Sequence, residues 1–459
     1  MTARGDTAAA GVRQPPASHR VDAVSAAAGV GFFVLAAATG AWLSAAGQPV
    51  RAGAPPLFAQ WLPHLGPGTP AALAIAGLVV WWGPGLAERL PWRRLLAAGY
   101  AAALAWTGGL AMIDGWQRGL AGRLTTEHEY LSGVGRVGDV AAMVRGFTGR
   151  ILDQQPESWA THVAGHPPGA LLVFVGLDRL GLSGGSWAAL ACVAAGASVA
   201  VTVPVTLRAL AGTAVARAAV PFVVLFPGAV WVGASADGLF AGVAAAGVAL
   251  LALATRRPGA AAAALAVAAG VLLGFGCFLS YGLVLMAPVA VAVLVVGRRF
   301  LPLPFALLGA SAVVAAFAAA GFWWLDGYHL VVERYHQGIA AERPYAYWVW
   351  ANLACLVVVA GPAAVAAVGR CLAAAVDDLR RPAASGRWGW HWLPVAAATA
   401  VLLADASGLS KAEVERIWLP FAVWLVASAA ALPAGGRRGW LAVQAATALM
   451  VNHLLLTPW

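Results

Sequence analysis

The sequence predicts an all-α protein, a polytopic bundle of about thirteen transmembrane helices with a large extracytoplasmic loop. Of the 459 residues, 61% are hydrophobic and only 10% are charged, and the mean hydropathy is +0.78. Soluble domains carry about 25% charged residues. Apolar windows of about 17–25 residues, the length that crosses the hydrocarbon core as a helix, recur from Val21 to the C-terminus. Composition and window length together therefore favour a membrane bundle over a soluble fold.

Residues 1–20 are rich in Ala, Arg and Pro and predict a disordered cytoplasmic tail, and residues 21–459 predict a single membrane domain. The first apolar stretch is too long for a cleaved signal peptide, so we expect it to remain as an anchor. The predicted spans are 21–47, 66–83, 95–113, 186–207, 212–235, 238–254, 260–280, 282–297, 303–324, 348–368, 389–404, 417–431 and 440–456.

The distribution of charge predicts the orientation, because Lys and Arg are retained in short cytoplasmic turns. With the N-terminus inside, the inner segments hold most of the arginines and only four acids, Asp6, Glu88, Asp377 and Asp378. The net charge of +10 then reflects topology and attraction to anionic lipid, and it does not indicate a nucleic-acid partner. We expect a multi-pass protein of the cytoplasmic membrane with a cytoplasmic N-terminus and an extracytoplasmic functional face.

The predicted outer face contains three polar segments. The largest, 114–185, is far longer than a connector needs to be. Within it, 133–152 and 168–182 have apolar residues at helical spacing interrupted by charges, which predicts helices lying on the membrane surface. The other two segments are 325–347 and 405–416.

The first cluster of candidate functional residues is acidic. Glu127 and Glu129 flank His128, and Asp114 stands at the mouth of the preceding predicted helix. A partly desolvated carboxylate at a membrane surface can take a proton from a hydroxyl nucleophile, so these three acids are candidate catalytic bases. The alternative is a solvated loop that is simply acidic.

The second candidate is Asp237, in a sharp turn between two uncharged spans. An ionisable group at the end of such a hairpin is costly unless water, a partner or a ligand reaches it. The alternative is a cap for the helix that follows, because Asp suits a helix N-terminus. Both functions can coexist in one residue.

The third set consists of cations and hydrogen-bond donors on the predicted outer face, where the charge bias disfavours cations. Binding of a phosphate is the simplest reason for them to be there. The alternative is pairing with neighbouring acids, Glu333 with Arg334 and Glu415 with Arg416. We favour Arg416 as a phosphate contact. The candidate residues are His166, Arg334, His336, Arg343, Lys411, which is the only lysine, and Arg416.

No metal or other cofactor is predicted. His162 and His166 are four residues apart but lack the intervening glutamate of a zinc-protease helix. A divalent ion held by these histidines with Glu127 or Glu129 is the weaker alternative.

In order along the chain, the motifs EHEYL at 127–131, HPP at 166–168, SADGLF at 235–240 and ERIWL at 415–419 resemble the GT-C class of membrane glycosyltransferases. The pattern is most similar to bacterial, especially actinobacterial, members related to protein mannosyltransferases and aminoarabinose transferases. The resemblance covers roughly 114–459.

The resemblance implies a GT-C fold and inverting transfer of a sugar, such as mannose or arabinose, from a polyprenyl-monophosphate donor. The acceptor would be a hydroxyl of a glycolipid, lipoglycan or polysaccharide of the cell envelope. An acid of the first outer loop would act as the base, by position Glu127, with Glu129 and Asp114 as rivals. Asp237 matches a second family aspartate. The family usually has aspartate where this chain has Glu-His-Glu, and the hairpin 21–83 is an addition to its pattern.

Two other classes stay open. A transporter or flippase of lipid-linked sugar usually shows inverted repeats and ionisable groups near the bilayer midplane. A polysaccharide ligase or polymerase would use a diphosphate-linked donor. The clustering of polar groups on one predicted face favours the transferase.

Overall fold

The computed structural model describes residues 19–233, 235–380 and 389–457, and nearly all of this chain is helical. The all-α prediction is confirmed. Residues 1–18 of the predicted cytoplasmic tail lie outside the described residues. The α-helices are α1 (His19–Ala45), α2 (Thr69–Arg89), α3 (Trp92–Ala111), α4 (Leu131–Val134), α5 (Val140–Arg145), α6 (Thr161–Ala164), α7 (Pro168–Arg179), α8 (Gly185–Ala197), α9 (Val199–Ala211), α10 (Thr213–Val224), α11 (Ala229–Val232), α12 (Asp237–Ala254), α13 (Gly259–Leu279), α14 (Ala287–Gly297), α15 (Pro302–Ala319), α16 (Trp324–Gln337), α17 (Tyr345–Val359), α18 (Pro362–Arg380), α19 (Trp392–Ala406), α20 (Val414–Ile417), α21 (Leu419–Ala427) and α22 (Arg437–Leu454).

Short irregular helices and one pair of strands complete the described chain. A π-helical turn, Gln117–Ala121, follows α3, and 3₁₀ turns occur at Arg123–Thr125, Thr148–Arg150, Tyr281–Met286, Ile339–Ala341, Ser428–Ala431 and Ala434–Gly436. The strands β1 (Gln60–Trp61) and β2 (Leu455–Leu456) are antiparallel, with Gln60 opposite Leu456 and Trp61 opposite Leu455. This pair attaches the loop before α2 to the C-terminal segment.

Among the described residues, six helices are long and apolar enough to cross a membrane, and eight if each of two sharply bent helix pairs counts as one span. The thirteen crossings therefore stay a prediction. The predicted span 348–368 shows the physical reason for the difference. The chain bends by 108° between α17 and α18, where Gly361 has a φ of +87° and Pro362 begins the new helix. The predicted span 212–235 is shortened in a similar way, because α10 ends at Val224.

Several of the long helices leave apolar faces uncovered by protein. Only 17% of the most apolar window of α1, α2 and α15 is buried. Trp42 of α1 is 67% exposed and Leu308 of α15 is 62% exposed. Extended apolar faces of this kind are rare on soluble proteins and suit contact with lipid. They indicate a membrane protein.

Small residues allow the core helices to approach closely. A Cβ built on Gly270 of α13 would overlap the carbonyl oxygen of Ala306 in α15, and one built on Gly309 of α15 would overlap the carbonyl oxygen of Val267. Both obstacles are backbone atoms, which cannot rotate away. Such glycine contacts are how membrane helices pack without a hydrophobic driving force.

We expect Gly270→Ala to destabilise the protein by about 1–3 kcal/mol, because the added methyl group must push α13 and α15 apart. The matched control is Gly77→Ala in α2, where a Cβ has no neighbour within 4 Å and higher helix propensity would stabilise slightly. Thermal unfolding in detergent measures both. Equal unfolding temperatures for the two variants would contradict this account of the packing.

Contacts join segments that the charge pattern assigns to the same predicted side. On the predicted inner side, Arg370 of α18 donates to both oxygens of Asp22 in α1 at 2.6 and 2.8 Å. Arg217 of α10 donates to the carbonyl oxygen of Ala87 at the end of α2. The N-terminal anchor and the turns that follow it therefore meet at one end of the bundle.

The three predicted outer segments also meet one another. Arg334, in the second segment, pairs with Asp153 of the large loop. Arg343 donates to the carbonyl oxygen of Lys411, in the third segment, at 2.7 Å. Residues separated by many helices in sequence therefore form one polar region.

Candidate functional site

The centre of this polar region is a buried group of five side chains, here called the Arg416 cluster: Glu129, His162, Asp237, Glu413 and Arg416. Four are at most 7% exposed, and the side chain of Glu413 is 16% exposed. Three separate parts of the chain supply them, namely the large loop, the start of α12 and the turn before α21. Burying this many ionisable groups is costly unless they are paired, so their mutual contacts are the key to the site.

Asp237 is the first residue of α12 and turns its carboxylate towards Arg416. Its Oδ2 accepts a hydrogen bond from Nη1 of Arg416 at 2.8 Å. The N-cap residue of α12 is Ala236, with no side-chain cap hydrogen bond, and Asp237 lies in the first turn, where its charge suits the helix N-terminus. Asp237 and Arg416 are 179 residues apart, and both were candidates from the sequence.

Arg416 holds a second acid through its other terminal nitrogen. Its Nη2 donates to Oε2 of Glu413 at 2.8 Å and lies 3.3 Å from Nε2 of His162. Burial alone would lower the pKa of Arg416, but Asp237 and Glu413 outweigh it and raise that pKa above its usual value. The guanidinium is therefore a permanent cation at the centre of the site.

The backbone before Arg416 is strained in a way that places Glu413. Ala412 and Glu413 have φ values of +66° and +62°, in the left-handed region that non-glycine residues rarely adopt. Burial raises the pKa of Glu413, but Arg416 and Arg343 outweigh it, so the net shift is downward. Two arginines thus keep this carboxylate ionised, and strain of this kind concentrates at functional sites.

Glu129 and His162 form a carboxylate–histidine pair, with Nδ1 of His162 2.7 Å from Oε1 of Glu129. A guanidinium only donates, so Nε2 of His162 must accept from Arg416, and Nδ1 must carry the proton that it donates to Glu129. Glu129 is 2% exposed, and its Oε2 has no hydrogen-bond partner among the described residues. That oxygen is a buried acceptor without a partner among the described residues.

Aromatic residues surround the Glu129 side of the cluster. Tyr130 stacks on Phe174 with a centroid distance of 5.2 Å and lies 5.7 Å from the ring of His166. Nδ1 of His166 donates to the carbonyl oxygen of His162 at 2.8 Å. Burial lowers the pKa of His166 to about 4, so this predicted phosphate ligand is neutral at pH 7 and would act through hydrogen bonding.

Arg343 and Lys411 extend the cluster on the other side. Arg343 is 4% exposed and donates to Oε1 of Glu413 at 3.1 Å, so it shares Glu413 with Arg416. Nζ of Lys411 donates to the carbonyl oxygen of Arg343 at 3.1 Å and lies 5.9 Å from the ring centre of Tyr335. These two predicted cations therefore belong to the same polar region as Arg416.

Glu127, the preferred base from sequence position, does not contact the Arg416 cluster. Its side chain is 86% exposed, and its Oε1 lies 3.6 Å from Nε2 of His128. Glu129, only two residues later, is buried in the cluster. The structure therefore brings one of the two rival glutamates to the site and leaves the other at the surface.

Asp114 lies in a separate buried group. Its oxygens are 2.9 Å from Nε2 of His64 and 3.2 Å from Nη2 of Arg123. Arg123 also donates to the carbonyl oxygen of Thr457. These contacts attach the start of the large loop to the C-terminal segment, which gives Asp114 a role in holding the chain together.

Two predicted cations have partners outside the Arg416 cluster. Arg334 pairs with Asp153 instead of its sequence neighbour Glu333. His336 is exposed and lies edge-on to Tyr335 at 5.6 Å.

Glu413 was not singled out from the sequence, and His162 was considered there only as a ligand in the weaker metal-binding alternative. For Glu413 a signal existed, because it stands three residues before Arg416, the spacing of helix neighbours. The sequence suggested Glu415 as the partner of Arg416. In the structure, Glu415 is fully buried and its Oε1 accepts from the backbone nitrogen of Phe58 at 2.8 Å.

Burial raises the pKa of Glu415 to about 7, against an ordinary glutamate value of 4.5. Between these values the unfolded carboxyl is ionised while the folded one keeps its proton, so stability falls as pH rises through this window. We expect the Glu415→Gln variant to lack this loss of stability at higher pH. The effect should be a few kcal/mol at most, because a shift of one pKa unit corresponds to about 1.4 kcal/mol. Unfolding temperatures of the variant and of the unmodified protein, each measured at about pH 5 and pH 8, test this prediction.

Glu342→Gln is the control for that pH experiment, because Glu342 forms an exposed pair with Arg51 and should not change the profile. If Glu415→Gln follows the same pH profile as the unmodified protein, the protonated state assigned to Glu415 is wrong.

Within the described ranges of the chain, no group of three or more His, Cys, Asp and Glu side chains is arranged to hold a metal ion. No known protein family, curated protein or solved structure matches this chain. The geometry of the Arg416 cluster is therefore the basis for a proposed function.

Proposed function

We propose that the chain is a GT-C type membrane glycosyltransferase. It moves a sugar, with inversion, from a polyprenyl-monophosphate donor to a hydroxyl of a cell-envelope glycolipid, lipoglycan or polysaccharide. The observation that carries the proposal is the Arg416 cluster, in which buried acids, a histidine and a permanent cation meet at one end of long apolar helices. Ionisable groups buried in a membrane protein are costly and are functional candidates by default, even where they pair with one another.

Glu129 is the residue that we assign as the catalytic base. Asp237 is neutralised by Arg416, and Glu413 is shared between Arg416 and Arg343. Among the described residues, the hydrogen-bond partner of Glu129 is His162, on Oε1, and Oε2 has no partner and could serve a ligand. A carboxylate oriented by one hydrogen bond, with a free oxygen in a dry site, suits proton abstraction from a hydroxyl. This replaces Glu127, which was preferred on position alone.

Lys411 is the residue that we assign to the donor phosphate. The terminal nitrogens of Arg416 already hold Asp237 and Glu413, so Arg416 is better suited to fix the acids than to receive a phosphate. Nζ of Lys411 donates to a neutral carbonyl oxygen and therefore keeps its charge for an incoming anion. Lys411 is also more exposed than either arginine of the site.

In the proposed reaction, Oε2 of Glu129 takes the proton of the acceptor hydroxyl as its oxygen bonds to the anomeric carbon. The bond between that carbon and the phosphate oxygen breaks, and its electron pair leaves with the polyprenyl phosphate. An alkyl phosphate is an adequate leaving group, so a nearby cation can replace the general acid that a glycosidase needs. The reaction requires no nucleotide and, in this scheme, no metal.

The proposal includes the predicted number of membrane crossings and the predicted orientation of the chain. Thirteen crossings with a cytoplasmic N-terminus would place the Arg416 cluster at the outer face of the cytoplasmic membrane. The arginine-rich inner turns support this orientation. A lipid-linked donor could then enter sideways between helices, and the uncovered apolar faces of α1, α2 and α15 suit such surroundings.

Purified protein in lipid nanodiscs tests the proposal. Incubation with an envelope glycolipid fraction and polyprenyl-monophosphate mannose or arabinose should release polyprenyl phosphate, whereas a diphosphate-linked glycan should stay intact. Consumption of the diphosphate donor alone would instead indicate a ligase or polymerase. Movement of the labelled lipid across liposomes without turnover would indicate a flippase, and either result would overturn the proposal.

We expect Lys411→Gln to raise the KM for the donor about tenfold with a smaller effect on kcat, because a charge-assisted contact to phosphate is lost. Arg51→Gln is the control, since it also removes a cation from this end of the protein, but one that is half exposed and paired with Glu342. Steady-state kinetics with varied donor separates the two parameters. An unchanged KM in Lys411→Gln would exclude Lys411 as the phosphate ligand.

A further inference from the structure

A cavity of about 280 Å³ lies between α2, α10 and α22, on the predicted inner side and away from the Arg416 cluster. Glu88 of α2, Arg217 and Phe222 of α10, and Arg437 and Leu441 of α22 are among the residues that line it. The lining of the cavity combines apolar side chains with two arginines. Nothing in the proposed transfer reaction uses it.

The arginines give the cavity an excess of positive charge. Nη1 of Arg217 donates to the carbonyl oxygens of Ala87 and Glu88. These acceptors carry no net charge, so the contacts leave the charge of Arg217 uncompensated. Nε of Arg437 is buried and has no hydrogen-bond partner among the described residues. Glu88 is the one acid among the lining residues, against two arginines. The chemistry therefore favours an anion.

The N-termini of two helices add to the positive electrostatic potential of the cavity. α10 begins at Thr213 and α22 begins at Arg437, and both cavity arginines lie in the first two turns of these helices. The exposed N–H groups and the dipole at such ends favour negative charge, phosphate in particular. The guanidinium fork of arginine matches phosphate oxygens in the same way.

The surroundings point to a lipid as the source of the phosphate. Trp81 of α2 is 62% exposed, and Cζ of Arg438 in α22 lies 5.4 Å from its ring centre. Leu86 of α2 is 48% exposed beside the cavity. A tryptophan with an arginine over its ring, next to an uncovered apolar helix face, is typical of the headgroup level of a membrane.

We propose that this cavity binds the phosphate of an anionic glycerophospholipid, with the acyl chains along the exposed face of α2. Basic pockets between membrane helices on the inner side bind anionic headgroups in this manner. The site is independent of glycosyl transfer and would stabilise the packing of α2, α10 and α22.

Native mass spectrometry of the full-length protein in detergent, titrated with dioleoyl phosphatidylglycerol or dioleoyl phosphatidylcholine, tests this site. Arg437→Gln should weaken phosphatidylglycerol binding about tenfold, and it removes an Nε that has no partner to lose. Glu88→Gln should strengthen binding, because it removes the opposing acid. Arg256→Gln, an exposed arginine in the turn after α12, is the control and should bind as the unmodified protein does.

The site would be supported if Arg437→Gln weakens phosphatidylglycerol binding, Glu88→Gln strengthens it, and phosphatidylcholine binds weakly. Equal phosphatidylglycerol binding in Arg437→Gln and Arg256→Gln would overturn it. Displacement of the lipid by millimolar inorganic phosphate would show that the cavity takes a soluble anion, which would overturn the lipid assignment. Thermal unfolding of each variant confirms that a loss of binding is not a loss of fold.

Discussion

Replacing Glu129 by Gln is expected to lower sugar transfer by about 100- to 10,000-fold, the usual contribution of a general base. The amide keeps the shape of the side chain and can still accept from His162, but it cannot take a proton from the acceptor hydroxyl. Donor binding should be nearly unchanged, because the assigned phosphate contact is Lys411. Release of polyprenyl phosphate under saturating donor measures the effect.

Glu127→Gln is the matched control, since it makes the same chemical change two residues earlier at a side chain that is 86% exposed. We expect transfer within about twofold of the unmodified enzyme, as for surface substitutions in general. A severe loss in Glu127→Gln combined with normal turnover in Glu129→Gln would show that the acidic loop rearranges before catalysis. The assignment of Glu129 would then be wrong.

Replacing Asp237 by Asn should have the second large effect, on both stability and activity. Removing one partner of a buried ion pair costs about 3–5 kcal/mol, because the remaining charge is left uncompensated. Arg416 would keep Glu413 as its acid partner, so the loss should fall at the lower end of this range. The guanidinium would also be less firmly positioned beside His162, and we expect transfer to fall about 100-fold.

Asp22→Asn separates these two effects. It makes the same substitution in another buried aspartate–arginine pair, that of Asp22 with Arg370, which lies on the predicted inner side. We expect a similar loss of stability and normal kcat in the folded fraction. Thermal unfolding and activity per folded molecule, measured for both variants, test the distinction. Equal loss of kcat in both would mean that Asp237 acts only through stability.

The sequence was sufficient to predict the helical class and the meeting of distant polar segments. Asp237 and Arg416 could be selected because each is an ionisable residue at the end of an otherwise apolar stretch, where a charge needs a reason. The charge bias also assigned the segments that contain Arg343 and Lys411 to one side, but the contact between these two residues was not predicted.

The inward-facing glutamate could not be selected from sequence. Glu127 and Glu129 lie in an irregular turn between a 3₁₀ segment and α4, so no helical or strand period assigns their directions. Residue Glu413 is turned towards Arg416 by left-handed backbone at two consecutive non-glycine positions, which composition does not indicate. The partner of Glu415 is a backbone nitrogen 357 residues away. These features depend on local strain and long-range contacts.

The number of crossings illustrates a different difficulty. Hydropathy averaged over a window of residues detects the length of an apolar segment. It does not detect the bends at proline and glycine that divide such a segment into shorter helices. The span predicted at 282–297 begins instead with the 3₁₀ segment Tyr281–Met286, and only Ala287–Gly297 is α-helical. Short apolar helices of this kind suit a bundle that surrounds a polar site, because irregular backbone at membrane depth is tolerated where it lines protein or a cavity.

The most direct test of the central claim is a structure of the protein in nanodiscs with a polyprenyl-monophosphate sugar bound. The account predicts the phosphate within hydrogen-bonding distance of Nζ of Lys411, and the face of the sugar opposite the phosphate directed towards Oε2 of Glu129. A donor phosphate bound away from the Arg416 cluster, with Glu129 still enclosed and out of reach of the anomeric carbon, would contradict it.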